Sequence, residues 1–136
     1  MIDIYLKQVT EGDTVMNKKH FDGLFNSSSE KRYKSFLNTS ADSGEVWLLS
    51  APDGYATFED DNNGIFILVW PNREFCEYFK QEDETPEAVE IHDFLKRAEK
   101  LENNIRFMVF PNDKDGYVVS REQIMFDIQN CLDEVE

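Results

Sequence analysis

Four side chains in this sequence have the types needed for nucleophilic catalysis: Cys76 and Cys131 as thiols, His20 and His92 as bases. A reactive cysteine needs an accessible thiol with a lowered pKa and a base beside it. Both cysteines instead fall on the inward face of a helical pattern, where a small thiol packs as an apolar residue. No Gly-x-Ser-x-Gly elbow is present, and Ser50 and Ser120 stand where a strand end and a helix start want a hydroxyl. No catalytic residue is expected.

Metal and phosphate chemistry fare alike. The histidines lack i, i+4 spacing and no Cys-x-x-Cys occurs, so the usual zinc patterns are absent. Glu59-Asp60-Asp61-Asn62-Asn63-Gly64 opens like an EF-hand loop, but Glu stands first and Trp70 twelfth, where a bidentate Glu is required. The Pro111–Gly116 stretch has Glu122 at the twelfth position and a proline at the first. The six glycines are spread over turns and form neither Gly-x-x-x-x-Gly-Lys-Ser/Thr nor Gly-x-Gly-x-x-Gly. No metal and no cofactor are expected.

Aromatic and amide side chains remain. Leu68-Val69-Trp70-Pro71-Asn72 and Met108-Val109-Phe110-Pro111-Asn112 share the order apolar, valine, aromatic, proline, asparagine. Each ends a strand pattern with an aromatic, a proline stop and an amide. Should the two ends meet, Trp70, Asn72, Phe110 and Asn112, with Trp47, would line a cleft of apolar walls and amide donors. The plainer reading makes both tryptophans core residues and the echo a repeat of local strand-ending physics.

The elements that must carry these residues follow from periodicity. Residues 1–15 read as an edge strand or an extension, because Ile2, Ile4 and Leu6 alternate with Asp3, Tyr5 and Lys7. From Met16 the spacing of Phe21, Leu24 and Phe25 is helical. Ser27 and Glu30 form a capping box for a second helix. It faces Tyr33, Phe36 and Leu37 inward, keeps Arg32 with Glu30, Lys31 and Lys34 largely outward, and ends at Gly44. Val46–Leu49, Tyr55–Phe58 and Ile65–Trp70 read as strands, the last apolar throughout and so central. Asn72 caps a short helix over Arg73–Lys80, Gln81–Pro86 is a polar loop, and Ala88–Ile91 a brief strand. A helix on Phe94, Leu95, Ala98 and Leu101 follows. Ile105–Phe110 is a strand, and the Asp115-Gly116 turn leads into Tyr117–Val119. Ser120 and Gln123 open a final helix on Ile124, Ile128, Cys131, Leu132 and Val135. The expected fold is one α+β domain over residues 16–136, a mainly antiparallel sheet of about four to five strands with helices packed on it.

Composition narrows the function classes. Hydrophobic residues make up 40% of the chain, enough to build a core. No apolar run reaches the roughly 20 residues of a membrane span, and Met1–Lys7 lacks a signal-peptide pattern, so a reduced cytoplasmic setting is expected. The formal net charge is −14, and it is uneven: residues 59–136 hold 20 acids and 8 bases against 8 acids and 6 bases before them. Such a field repels phosphates and anionic membrane surfaces, so direct nucleic-acid or membrane binding is not expected.

Several pieces together resemble a known family. They are Arg32-Tyr33 with Phe36-Leu37, Glu45-Val46-Trp47, Gly64 ahead of Val69-Trp70-Pro71, Pro86-Glu87-Ala88 with Phe94-Leu95, Val109-Phe110-Pro111, and Gly116 with Val118-Val119-Ser120. In order and spacing, residues 16–134 resemble the small bacterial proteins grouped as domain of unknown function 2750. The resemblance implies a compact bacterial α+β domain, with no assigned activity and no catalytic residues to carry over.

Two functions remain open. The first is a non-enzymatic interaction module, of inhibitor or immunity type, that binds a basic protein partner through acids such as Asp60, Asp61, Glu82 and Asp83. The alternative is a small-molecule-binding protein or enzyme using the cleft near Trp70. Oligomeric state is not specified by either.

Overall fold

Asn17 opens the first described helix by accepting the His20 amide on its side-chain oxygen at 2.8 Å. The computed structural model describes residues 17–62 and 64–135, so the expected edge strand or extension over residues 1–15 lies outside the described residues. Helix α1 (Lys18–Phe25) buries Phe21 and Phe25, as its spacing requires. Helix α2 (Ser29–Ser43) is capped by Ser28, whose hydroxyl accepts the Lys31 amide. Ser27, the expected cap, instead donates to the Leu24 carbonyl and closes α1. Three consecutive serines leave the cap ambiguous in sequence, and with the Ser27 hydroxyl committed to Leu24 the cap falls to the second. Gly44 ends α2 at φ 79°, a left-handed conformation that costs a side chain about 1–2 kcal/mol.

Strand β1 (Glu45–Ala51) turns through Pro52-Asp53 into β2 (Gly54–Tyr55), and β3 (Thr57–Glu59) follows after a break at Ala56. The Ala56 amide still bonds Leu49 of β1, while its carbonyl accepts from Leu68 of β4 (Ile65–Val69). At this residue the chain passes from one sheet to the other. With β5 (Thr85–Glu90), β6 (Ile105–Val109) and β7 (Tyr117–Ser120), the seven strands among the described residues form two sheets, with orders β2-β1-β5 and β3-β4-β6-β7, where one sheet was expected. A reciprocal backbone pair between Trp47 and Trp70, both N···O distances 2.9 Å, joins the sheets directly.

Helix α3 (Arg73–Phe79) follows Pro71, with Asn72 at the cap position but making no side-chain cap bond. Strand β5 (Thr85–Glu90) begins earlier than expected and includes Pro86, which is tolerated because β5 is an edge strand. Helix α4 (Ile91–Glu99) buries Ile91, Phe94 and Ala98. Strand β6 (Ile105–Val109) lies parallel to β4, the single parallel ladder among the described strands, reached by the α3–β5–α4 crossover. Strand β7 (Tyr117–Ser120) returns antiparallel to β6. A Cβ at Gly116 would stand 2.5 Å from Met108 Cγ, so any larger residue there forces the Met108 side chain to move. Helix α5 (Arg121–Val135) starts as expected, with Ser120 accepting the Gln123 amide, and buries Ile124, Ile128 and Leu132. Among the described residues, five helices on two mostly antiparallel sheets make this an α+β fold. No helix of the described residues is long and apolar enough to cross a membrane.

Candidate functional site

Side-chain alternation on β1 and β5 puts Leu48 on the same face as Val46, whose cross-strand partner is Val89. Ile67 and Phe107 stand opposite each other on β4 and β6. Helix α4 and the turn after it add Phe94, Arg97, Ala98 and Leu101, the i, i+3, i+4, i+7 stripe of an amphipathic helix. Leu48, Val89, Ile67 and Phe107, with these α4 residues and Tyr55 from β2, line a half-open cavity of about 240 Å³ between the two sheets and α4.

Its walls are aliphatic and aromatic, and the polar side chains among its lining are Tyr55 and Arg97. The Tyr55 phenol donates to Glu87 Oε2 at 2.5 Å and accepts from Arg97 Nη1 at 2.7 Å. Arg97 Nη2 pairs with Asp93 Oδ2 one helical turn away, at 2.9 Å. Burial first, and the bond to Glu87 second, push the Tyr55 phenol above its ordinary pKa, with Arg97 opposing both. Tyr55 therefore keeps its proton at neutral pH and serves as a hydrogen-bonding group. Among the described residues the lining contains no thiol, hydroxymethyl, imidazole or carboxylate, and its polar groups are the protonated Tyr55 phenol and the Arg97 guanidinium.

The two proline-ended strands do meet. Their parallel register places Val69 beside Val109, and the Phe110 amide donates to the Val69 carbonyl at 2.7 Å. The residues expected to line a cleft there are otherwise occupied. Trp70 and Phe110 are 0% exposed and offer a ligand no surface. Trp70 packs on Phe79 and leaves its indole N–H without a hydrogen-bond partner among the described residues, while Phe110 packs on Phe75. Trp47, Asn72 and Asn112 are half-buried. Asn112 donates to the Phe25 carbonyl at 2.7 Å and accepts the amides of Lys114 and Asp115 at 2.8 and 2.9 Å, so its amide is spent on the loop.

Beside that loop lies a residue expected on the surface. Arg32 is 1% exposed. Its guanidinium donates to the carbonyls of Phe110 and Asp115 at 2.9 Å each, to the Ser27 carbonyl, and to Asp115 Oδ1 at 2.5 Å. It fastens the α1–α2 junction to the β6–β7 loop, where Phe110 stands at φ 51°. The signal was present: Arg32, Phe36 and Ser40 form an i, i+4, i+8 stripe, and all three are buried.

The remaining expected groups are spread out. Asp60 and Asp61 sit on the β3–β4 turn, Glu82 and Asp83 on the α3–β5 turn, and all four are exposed. Asp60 accepts the amides of Asn62 and Gly64 and so shapes its own turn. Cys76 is buried with its thiol on the Leu48 carbonyl, and burial pushes it, like Cys131, above the usual thiol range. Among the described residues, no three His, Cys, Asp or Glu side chains gather in a way that could hold a metal ion.

Residues 33–128 match the model of a family described as a protein of unknown function, DUF2750. No curated protein matches the chain.

Proposed function

The chain belongs to the DUF2750 family of proteins of unknown function, and within that family we propose that it is a non-enzymatic binding protein for a small, largely apolar molecule. The cavity between the two sheets and α4 carries this reading. Protein interiors ordinarily close-pack, and apolar walls offer water few hydrogen-bond partners, so a preformed, half-open apolar space with a polar rim favours an apolar occupant. Its lining supplies shape and two hydrogen-bonding groups, Tyr55 and Arg97, without reactive chemistry.

Benzene titrated against labelled protein tests the reading without any head group. Saturable amide shifts are expected at Leu48, Ile67, Val89 and Phe107, which line the cavity. Ala98→Leu extends a side chain from α4 into the space. It should weaken benzene binding by at least about ten-fold while costing no more than the roughly 1–3 kcal/mol of an overpacked core. Shifts that never saturate, or that survive Ala98→Leu unchanged, would sink the proposal.

The charge supports a second reading, a basic protein partner. Asp60, Asp61, Glu82 and Asp83 lie exposed on two turns of a chain with net charge −14. Changing all four to Lys should slow association with such a partner and flatten its salt dependence. A partner that binds the variant with unchanged rate and salt dependence would dismiss the electrostatic route.

A further inference from the structure

We infer that the molecule held by the cavity is neutral, of about ten non-hydrogen atoms, and carries a hydrogen-bond acceptor that reaches the Arg97 guanidinium; this rests on the binding role proposed above. Size comes from volume. A dry cavity of about 150 Å³ accepts benzene, and this one measures about 240 Å³.

The acceptor follows from a count of protons. Tyr55 has one, and it is committed to Glu87. Arg97 spends one N–H on Tyr55 and one on Asp93. A guanidinium has five, so donors remain at the rim, on a side chain that is 53% exposed. The Glu87 and Asp93 carboxylates are bonded to Tyr55 and Arg97 and are not themselves part of the lining. A ligand's polar end thus meets unused N–H groups first.

Neutrality follows from the charges around that end. Two carboxylates, Glu87 and Asp93, flank one guanidinium. An anionic head would bring a third negative charge to the cluster, on a chain already at −14. A cationic head would be drawn by the two carboxylates, but both are bonded to Tyr55 and Arg97 and lie outside the lining, so from within the cavity it meets the Arg97 charge first. A carbonyl, ether or hydroxyl oxygen suffers neither repulsion and accepts from Arg97 without displacing Asp93.

The test is a matched eight-carbon series, 1-octanol, octanoate and octylammonium, titrated at pH 7 against the full chain and followed by amide NMR, with benzene as the control lacking a head group. Octanol is expected to bind about ten-fold tighter than either ion, and Arg97→Met to weaken octanol by roughly ten-fold through loss of one charge-assisted bond. Greasiness alone would also rank octanol above octanoate, so the decisive variant is Glu87→Gln with Asp93→Asn. Removing both carboxylates should strengthen octanoate by at least about five-fold if they are what repels it. Octanoate or octylammonium binding as tightly as octanol, or octanoate unmoved by the double variant, overturns the inference while benzene binding leaves the pocket intact. Failure of benzene and all three probes overturns the pocket itself.

Discussion

Arg32→Met is expected to lower stability by about 3–5 kcal/mol, the cost of breaking a buried charge network by removing one partner. The methionine fills much of the arginine stem but leaves the carbonyls of Ser27, Phe110 and Asp115 without the donor that satisfies them. Two of those carbonyls belong to the β6–β7 loop, where Phe110 holds a left-handed backbone that a phenylalanine rarely adopts. The loop therefore loses its anchor and its reason to stay strained together. Arg32→Lys should recover little, because one ammonium cannot span three carbonyls and a carboxylate as a planar guanidinium does. Asp115→Ala should cost only about 1 kcal/mol, since the Asp115 side chain is 58% exposed and water replaces it. Urea unfolding checks all three through the midpoint at unchanged slope. An Arg32→Met loss under about 1 kcal/mol would mean that the network merely occupies space.

Phe75→Ala is the second large effect, again about 3–5 kcal/mol. Phe75 is 0% exposed and stands between two groups of rings, with centroids 4.6 Å from Phe21 and 4.4 Å from Phe110. Its removal opens a cavity at the place where α1 meets the strand-end loop. Helix α1 buries only Phe21 and Phe25 and is too short to be stable alone. Part of the cost should therefore appear locally, as faster hydrogen exchange across Lys18–Phe25 than in α5. Uniform exchange across both helices would show that α1 does not depend on this contact.

Local chemistry read most of the elements correctly, and for identifiable reasons. The spacing of Phe21 and Phe25, the stop at Gly44, the proline ends at Pro71 and Pro111, and the hydroxyl of Ser120 all act within a few residues of where they occur. Apart from the caps at Ser28 and Asn72, the errors fall where a distant partner decides. Pro86 sits in a strand because β5 is an edge, and edge or centre is a property of the sheet. Arg32 is buried because Phe110 and Asp115 arrive beside it from the far side of the chain. Its place on the Phe36 stripe hinted at burial, but nothing nearby in sequence supplies the carbonyls that make burial of an arginine tolerable.

The candidate site divides the same way. Its aromatic and amide candidates were read from a repeated strand end, and the parallel β4–β6 ladder does bring the two ends together. Whether Trp70 and Phe110 face a cleft or the core depends on what α3 packs beneath them, and Phe75 and Phe79 bury both. The cavity at Tyr55 was invisible because β1, β2, β4, β5, β6 and α4 each contribute to its wall, and its volume is the space their packing leaves. Periodicity, caps and turns are interactions between near neighbours, so the order of residues alone settles the elements and the α+β class. The split of the strands at Ala56, the burial of Arg32 and the shape of the cavity arise from contacts between segments far apart in the chain, which exist only once the helices and both sheets have packed.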